Sequence, residues 1–357
     1  LGTVYFDAAP ARGWTSRLTI GGQRQFTAGS GAFFGDPFRF TLTAHRTVAD
    51  WQHTVALGSR ARALAGGSGE WTSVWSDGSR MRERLFAGFG QLEVSLIHAV
   101  TLTAGFRHDD YDTFGGATTW RVTGAWLPHG ATKVRASYGT GFMPPSLAAR
   151  YGGPFQNPNP DIRPERSRGY DVGIERFVLS GRGSLGLTWF RTELRDLIGF
   201  QSAPFPGLGM SVNVDRARTT GLEAAGRLTS DRADLRLAWT WLSARSESAP
   251  SPDLARLIRR PRHTVSADLL YRAGSRLSAG AGLVIVAGRE DADFNAFPSE
   301  RVDPGNYEVG RLHGSYELFR DFILRVRVEN VLDRRYEEVY GFPALGRSIQ
   351  AGASVGF

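Results

Sequence analysis

Hydrophobic and polar residues alternate with a period of two along most of this chain. The alternation is clearest in the segments 133–142, 235–242, 322–330 and 349–357. From Phe322 to Val328 every second residue is apolar, and the opposite positions from Arg325 to Glu329 are charged. Because successive side chains of a β-strand point to opposite faces, this pattern predicts strands with one apolar side. Sustained helical spacing is absent, except for a short turn near Asp253–Arg260.

The same pattern, followed along the whole chain, predicts about seventeen strands. Their ranges are roughly 2–9, 14–27, 38–49, 51–65, 82–95, 97–108, 117–128, 131–142, 167–180, 184–199, 211–229, 233–246, 261–272, 275–289, 305–317, 321–333 and 347–357. Short turns such as 128–130, 180–183 and 272–275 alternate with long loops at 143–166, 200–210, 246–260, 290–304 and 332–346. Short turns on one side and long loops on the other are typical of outer-membrane barrels.

Two kinds of architecture accommodate many strands with one apolar side: a soluble sandwich or propeller, and a transmembrane barrel. Soluble strands average about 5–6 residues, whereas membrane strands need roughly 9–11. The segments here exceed the soluble average, and their polar face is made of Arg, Glu, Ser and Gly. A propeller would show a repeat of about 40–50 residues, which this sequence lacks. The predicted fold is therefore an all-β, transmembrane, antiparallel β-barrel of the outer-membrane type, with residues 1–357 in a single domain.

The composition agrees with a folded membrane protein and excludes several kinds of chemistry. Hydrophobic residues make up 41% of the chain, and the absence of Cys removes disulfide scaffolds and Cys-based zinc sites. No apolar run approaches the length of a membrane-spanning helix. The net charge of +8 comes from Arg residues scattered singly among acidic ones, so nucleic acid is not an expected partner.

The strand count and the first residues together predict that an N-terminal part is missing. Bacterial single-chain barrels normally have an even number of strands. With seventeen strands and a last strand that ends in the periplasm, Leu1 would lie at the extracellular rim. The chain also begins without the basic and apolar segments of a signal peptide.

Five local motifs occur in an order that resembles the C-terminal barrel of TonB-dependent outer-membrane receptors. They are a Tyr-Gly-x-Gly-Phe strand end, an Asn-Pro-rich loop, a spaced Asn/Gly/Glu set, Arg260–His263, and an Asn-Val-Leu-Asp segment before an aromatic. The motif positions are Tyr138, Gly139, Gly141, Phe142, Pro145, Asn157, Pro158, Pro164, Glu165, Asn213, Gly221, Glu223, Asn330, Asp333, Tyr336 and the terminal Phe357. The resemblance runs from about Arg82 to Phe357, and the ending from Tyr336 to Phe342 looks most like the vitamin B12 receptor branch.

This resemblance implies a plugged barrel of 22 strands in the intact protein, of which about seventeen are present here. It implies uptake of a large, scarce nutrient, cobalamin or a ferric siderophore, without a cofactor and without catalysis. The implied partners are outer-membrane lipid and lipopolysaccharide, the TonB system acting through a plug absent from this chain, and the barrel-assembly machinery at the C-terminal strand. Two departures from the family pattern are Met143-Pro144 before Pro145, in place of Arg-Ala, and Ile162 in place of Leu.

Ligand contacts are expected in the long loops and at the upper ends of the strands. Aromatic and amide groups with a few charges suit a bulky organic chelate. The expected contacts are Phe155, Asn157, Arg289, Phe294 and Tyr340. The alternative is that these residues pack within their own loops, and that the motif residues shape strand ends. Pro145 cannot donate to a strand ladder, and Asn330 and Asp333 suit a transition from strand to loop.

Three other functions stay open at the level of sequence. A passive porin would need only the barrel. A barrel-rim hydrolase would use the pair His108 and Asp109, within a cluster that runs to Asp112 and also resembles a calcium site. A soluble β-protein is the third. Asp291 and Asp293 form a weaker cation-site candidate, and the seven His residues show no metal-ligand spacing.

Overall fold

The computed structural model describes residues 1–33, 36–76, 78–154, 156–201, 203, 207–296 and 299–356. The strands are β1 (Gly2–Ala11), β2 (Trp14–Phe33), β3 (Asp36–Leu57), β4 (Ala61–Ser76), β5 (Ser79–Ile97), β6 (Val100–Tyr111), β7 (Gly115–His129), β8 (Thr132–Met143), β9 (Glu165–Val178), β10 (Gly183–Gln201), β11 (Met210–Thr229), β12 (Ala233–Ser246), β13 (His263–Ala273), β14 (Leu277–Ala287), β15 (Asp291–Asp293), β16 (Glu300–Val302), β17 (Tyr307–Phe319), β18 (Phe322–Glu329), β19 (Glu337–Val339), β20 (Phe342–Pro343) and β21 (Ser348–Val355). The helices are α1 (Leu147–Tyr151) and two single 3₁₀ turns at Leu179–Gly181 and Pro252–Leu254.

The chain forms two compact units, and each contains consecutive antiparallel strand pairs. The first unit holds residues 1–126, 136–170 and 193–217, and within it β1 to β6 pair in chain order. The second unit holds residues 127–135, 171–192 and 218–357. There β12, β13, β14, β17, β18 and β21 pair in order, while β15–β16 and β19–β20 form small hairpins in the long loops. The predicted all-β antiparallel fold is confirmed.

Seventeen of the described strands have eight or more residues, which matches the predicted number, but the predicted boundaries from β2 to β5 are wrong. Residues 66–76, which were predicted to lie outside any strand, belong to β4, and the predicted strand 51–65 crosses the turn between β3 and β4. The sequence suggested a break at Asp50, whereas β3 continues through Asp50 to Leu57. The turn lies instead at residues 58–60, where Gly58 adopts a φ of +74°. Asp50 is paired in register with Thr19 and Ser68, so it occupies the polar face of a continuous strand.

Helix α1 was not predicted, because five residues are too few to show helical spacing. Its N-cap is Ser146, whose hydroxyl accepts a hydrogen bond from the backbone N–H of Ala149 at 3.1 Å. Ala149 is buried, and the helix fills the loop that follows β8. Across the described residues, no helix has the length and hydropathy required to cross a lipid bilayer.

The apolar faces of the strands are exposed, which reverses the arrangement of a soluble protein. Along β10, Leu185, Leu187 and Trp189 are exposed, and the small or polar residues between them are less so. On β14, Leu283 and Ile285 are also exposed, whereas Val284 between them is less exposed and Val286 is buried. Among the described residues, the buried hydrophobic set is short: Met81, Leu85, Ala117, Ala149, Ile162, Ala217, Ala244, Val286 and Ala292. Apolar side chains directed outward are what lipid-facing strands require.

Gly221 occupies a position in β11 where two other strands approach closely. A Cβ at this position would lie 2.5 Å from Phe190 Cζ and 2.6 Å from the carbonyl oxygen of Trp241. We expect Gly221→Val to destabilise the folded chain by about 1–3 kcal/mol, as overpacking typically does. The measurement is the urea midpoint of unfolding in detergent micelles.

Gly352→Val is the matched control, because a Cβ at Gly352 in β21 meets no atom within 4 Å. Both substitutions introduce the same β-branched side chain into a strand. Equal midpoints for the two variants would contradict the close approach seen at Gly221.

Candidate functional site

An open, arginine-rich cleft lies in the second unit, where the long loops meet. Its volume is about 1000 Å³. Five arginines from four separate stretches of chain line it, together with three acidic residues. The arginines are Arg245 from the end of β12, Arg256 and Arg262 from the following loop, Arg289 after β14, and Arg301 from β16, and the acids are Glu290, Glu300 and Asp303.

Some of these charged residues form an ion-pair network with one another. Arg256 contacts Glu290 at 2.6 Å, and Arg301 contacts the other carboxylate oxygen of Glu290 at 3.4 Å. Arg301 also donates to the carbonyl oxygen of Leu254 at 2.9 Å. The network fixes the loop after β12 to the β15–β16 hairpin, so the wall of the cleft is held in place.

Two arginines keep their charge available to a ligand. Arg245 and Arg262 are exposed, and their side chains have no ion-pair or hydrogen-bond partner in the part of the chain that the structure describes. The Arg262 backbone is held by its N–H, which donates to the Gly288 carbonyl at 3.1 Å. Gly288 has a φ of +65°, and a Cβ there would lie 3.0 Å from Arg262 Cβ. The cleft therefore presents a surplus of positive charge.

Arg289, an expected ligand contact, is largely buried, with 8% of its surface exposed. Its guanidinium donates to the carbonyl oxygens of Gly305, Glu337 and Glu338 at 3.1, 2.6 and 2.8 Å. It also lies over the Tyr307 ring, 4.9 Å from the centroid. These contacts satisfy most of its donors, so Arg289 anchors the segment 330–347 to the upper end of β14.

Asp291 anchors the same segment from a second point. It is 1% exposed and receives hydrogen bonds from the backbone N–H groups of Ala292 and Tyr340 and from Arg259, at 2.8, 2.9 and 2.8 Å. Burial acts to raise the pKa of Asp291, but the two N–H groups and Arg259 outweigh it and hold the pKa below its ordinary value. Asp291 is thus a charged structural group.

The other expected ligand contacts fall in three places. Phe294 is 64% exposed beside Arg259, whose guanidinium lies 5.5 Å from the ring centroid, and Tyr340 is also exposed, on the anchored segment. Both belong to the second unit, as the cleft does. Asn157 belongs to the first unit, where its side chain donates to the carbonyl oxygen of Leu208 at 2.6 Å. Phe155 lies outside the described residues.

The pair His108 and Asp109 is not brought together as a catalytic site. These neighbours on β6 point to opposite faces: His108 is exposed and contacts Thr118 at 2.8 Å, whereas Asp109 is buried against Arg107, also at 2.8 Å. In the described parts of the chain, no three His, Cys, Asp or Glu residues are grouped closely enough to hold a metal ion. Asp293 caps its own turn, where its carboxylate accepts from the Asn295 N–H at 2.9 Å.

A protein-family model described as "TonB dependent receptor-like, beta-barrel" matches residues 2–331. The chain belongs to this family. The predicted family is therefore confirmed, and the match begins well before Arg82, where the sequence resemblance became visible.

This TonB-dependent receptor barrel is also similar in fold to solved outer-membrane receptors. The pyoverdine receptor FpvA of Pseudomonas aeruginosa, bound to pyoverdine, gives a TM-score of 0.82 at 18% identity, covering 99% of this chain and 61% of FpvA. The ferric-catecholate import receptor Fiu of Escherichia coli K12 gives 0.78 at 15%, covering 99% and 63%. The siderophore receptor PirA of Acinetobacter baumannii gives 0.79 at 13%, covering 99% and 62%. The chain thus spans less than two thirds of the length of each.

The family motif residues of this receptor barrel lie mainly where loops join strands. Asn213 accepts from the Arg163 N–H at 2.9 Å and donates to the carbonyl oxygens of Arg163 and Asp196, at 2.9 and 2.7 Å. Glu165 accepts from the Ile198 N–H at 2.8 Å. These bonds attach the loop before β9 to β10 and β11, and Pro158 and Pro164 lie within the same loop.

Asn330 plays the same role after β18. It is buried, its φ is +49°, and its side chain bonds the N–H and the carbonyl of Arg334 at 2.9 and 2.8 Å. Asp333 accepts from the Arg347 N–H at 2.9 Å, and Tyr336 stacks on Tyr307 with the ring centroids 4.3 Å apart. The segment 330–347 is therefore a folded structure rather than an open tip.

The remaining motif positions are on strands, apart from one buried loop residue. Tyr138 and Phe142 on β8 pack against Trp120 and Tyr111, with the ring centroids 4.9 and 6.1 Å apart. Gly139 and Gly141 leave room for neighbouring side chains, Pro145 is buried after β8, and Glu223 is exposed on β11. Phe357 lies outside the described residues.

The sequence did not single out Arg245, Arg256 or Arg301 as site residues. Arg262 stood within the motif Arg260–His263, which was the available signal. The other arginines come from separate loops, and only the fold brings them into one cleft.

Proposed function

We propose that this chain is the barrel of an outer-membrane uptake receptor that binds an anionic ferric siderophore. The observation that supports it most directly is the cleft of about 1000 Å³ with five arginines, two of them unpaired. Family membership supports the receptor role, since the family and the solved relatives named above are transport receptors. This chain spans less than two thirds of the length of those relatives. Uptake driven by the TonB system through a plug is therefore part of the proposal.

Anionic chelates match the chemistry of the cleft. A guanidinium group stays charged at any physiological pH and binds oxyanions through two parallel hydrogen bonds. A positively charged surface between low-dielectric walls also raises the local concentration of anions and their association rate. Cobalamin carries no comparable negative charge, and the solved relatives named above are a pyoverdine receptor, a ferric-catecholate import receptor and a siderophore receptor. Both points favour the siderophore over cobalamin.

In this proposal the barrel performs no covalent chemistry. The anchored segment 330–347 and the β15–β16 hairpin form a firm rim, and Arg245 and Arg262 attract the chelate into the cleft. We assign contact with its organic part to Phe294 and Tyr340, which are exposed in the same unit but do not line the cleft, and Asn157 supports a separate loop in the first unit. All 357 residues serve as one barrel domain that contacts outer-membrane lipid and is inserted by the assembly machinery through its last strand.

The proposal predicts that Arg245→Gln/Arg262→Gln weakens binding of a ferric tris-catecholate by at least tenfold. The reason is the loss of two charge-assisted contacts, each worth more than a neutral hydrogen bond. The measurement is quenching of intrinsic tryptophan fluorescence with the folded chain in detergent. Cyanocobalamin and a neutral ferric hydroxamate serve as comparison ligands.

The matched control is Arg182→Gln/Arg232→Gln, which removes the same charge from exposed short turns of the second unit. Equal catecholate affinity for the two double variants, or tighter binding of cyanocobalamin by the unmodified chain, would overturn the siderophore assignment. Passive porin function is tested separately by ion conductance in planar bilayers.

A further inference from the structure

Strands β17, β18 and β21 carry a polar depression of about 620 Å³ on the face opposite their outward apolar side chains. On β18, Leu324 and Val326 are exposed on the outward face, and Arg325 and Arg327 alternate with them. We call the depression the inner-wall site, and its lining belongs to the second unit. The charged and hydrogen-bonding side chains that line it are Arg311, His313, Ser315, Arg325, Arg327 and Gln350.

The strand register groups hydrogen-bond donors around Arg325. His313 on β17 and Gln350 on β21 are the cross-strand partners of Arg327, one on each side of it. Arg325 lies two residues before Arg327 on the same face, so it is a diagonal neighbour of both His313 and Gln350. Diagonal positions in an antiparallel pair are about 7–8 Å apart, which long side chains can bridge. A guanidinium, an imidazole and an amide therefore surround one small area of the wall.

The acidic groups of this wall are already engaged by other arginines. Arg311 forms an ion pair with Asp268 on β13, and Arg327 forms one with Glu329 on β18. These pairs lie on the side of the site nearer the long loops, since Glu329 follows Arg325 by four residues along β18. With three arginines and two acids, the wall keeps a net positive charge.

The donors nearest Arg325 are free to bind a ligand. Across the described residues Arg325 has no acidic partner, and its guanidinium donates one hydrogen bond, to the Ser354 hydroxyl at 2.7 Å. The side chains of His313 and Gln350 are exposed and have no hydrogen-bond partner in the part of the chain that the structure describes. The site thus presents several unused donors and no free carboxylate.

Glycines on β14 determine how two of these side chains lie. Gly280 is the cross-strand partner of His313, and Gly282 is the partner of Arg311. A Cβ at Gly280 would collide with the His313 imidazole, and a Cβ at Gly282 would collide with the Arg311 guanidinium group. Both side chains therefore lie across β14, against the wall, and the space above the wall stays open to a ligand.

The inner-wall site is separate from the arginine-rich cleft of the same unit. Gly288 lines the cleft and lies eight positions after Gly280, which is paired with His313. Eight residues rise about 26 Å along a strand. The described linings of the two sites have no residue in common. A small ligand therefore occupies one site or the other, and each can be removed by substitution without the other.

We propose that the inner-wall site binds a phosphate group, either of inorganic phosphate or of a small organic phosphomonoester. Arg325 binds two phosphate oxygens through parallel N–H groups, and His313 and Gln350 donate to the remaining oxygens. A planar carboxylate would be satisfied by Arg325 alone, whereas a tetrahedral phosphate has acceptors that point toward all three side chains. The proposal goes beyond chelate uptake and does not depend on it, because no residue of the cleft takes part.

The test is ³¹P line broadening of inorganic phosphate and of glycerol phosphate by the folded chain in detergent. Every sample carries Arg245→Gln/Arg262→Gln, so that the unpaired arginines of the cleft do not contribute. We expect Arg325→Gln to weaken phosphate binding by about tenfold or more, through loss of a charge-assisted contact. The control Arg232→Gln removes the same charge from an exposed short turn and should change nothing. Tighter binding of glycerol phosphate identifies an organic phosphomonoester as the ligand, and tighter binding of phosphate identifies the free ion.

A second pair of variants tests the charge without removing Arg325. Gly352 is the cross-strand partner of Arg325, and a Cβ at Gly352 would meet no atom within 4 Å. We expect Gly352→Glu to pair with Arg325 and to abolish phosphate binding. Gly352→Gln has the same size without the charge, and should keep the affinity within about threefold. Heat-modifiable migration shows that each variant is folded.

Equal phosphate affinity in Arg325→Gln and Arg232→Gln would overturn the proposal, as would equal losses in Gly352→Glu and Gly352→Gln. Displacement of phosphate by an equal concentration of acetate would also overturn it. Tighter binding of a hexaglutamate peptide than of either phosphate compound would assign the site to a protein segment instead. Ferric tris-catecholate binding, measured with the cleft arginines intact, should be the same with and without Arg325→Gln. Absence of chelate binding in every sample, with the phosphate effects intact, would count against the siderophore assignment alone.

Discussion

Arg289→Met is expected to raise the rate of trypsin cleavage after Arg334 and Arg335 by about a hundredfold. Arg289 joins the upper end of β14 to the segment 330–347 through the carbonyl oxygens of Glu337 and Glu338. Each hydrogen bond to a charged group contributes about 1.5–3 kcal/mol. A loss of about 3 kcal/mol raises the population of the open segment roughly a hundredfold. Cleavage follows that population when opening and closing are fast.

The control is Arg320→Met, because Arg320 lies in the short turn after β17 and is 95% exposed. Its replacement removes the same charge but no buried contact. Unchanged cleavage within 330–347 in Arg289→Met would show that the segment does not depend on this anchor. Arg289 would then again be a candidate ligand contact.

The strands were predictable because alternation is a local property of the sequence. Each strand of the sheet carries its own pattern of outward apolar and inward polar residues, and no partner is needed to read it. The break predicted at Asp50 was wrong for the same reason, since a polar residue on the inward face resembles the start of a loop. The sequence indicates a strand end less clearly at Gly58 than at Asp50, because the residues on both sides of Gly58 continue the alternation of apolar and polar positions.

The roles of the site residues were less predictable, because their partners are distant in sequence. Arg289 was expected to contact ligand as a charged residue at the mouth of a strand. Its acceptors are backbone carbonyls, and two of them are 48 and 49 residues away. Every residue has a backbone carbonyl, so the identity of these residues does not reveal that they bind Arg289. The arginines of the cleft come from four stretches of chain, so their convergence depends on strand order and loop packing. The motif residue Asn330 was better predicted, since its partners lie mostly within its own turn.

Asp291→Asn is expected to raise the population of the open segment 330–347 about tenfold. In the double variant with Arg289→Met, the increase should be smaller than the product of the two single increases. The carboxylate holds the Tyr340 N–H and the Arg259 guanidinium at once, whereas an amide has one oxygen and turns its NH₂ toward other donors. Because Arg289 and Asp291 hold the same segment, the double variant should be less than a thousandfold more open than the unmodified chain. Hydrogen exchange of residues 334–346 measures all four forms, and simple multiplication of the two effects would contradict a shared anchor.

The pH dependence of this anchor follows from the lowered pKa of Asp291. A carboxylate whose pKa is lower in the folded state stabilises the fold at pH values above its ordinary pKa of about 3.8, and this stabilisation is lost as pH falls through the lowered value. The open population of the segment 330–347, measured as the hydrogen-exchange protection of residues 334–346 relative to intrinsic exchange, should therefore be nearly constant from pH 6 to pH 4 and should increase only below that range. The variant Asp291→Asn has no carboxylate to titrate at this position, so its acid-dependent increase should be smaller. An increase of the same size in both proteins would assign the acid sensitivity to groups other than Asp291.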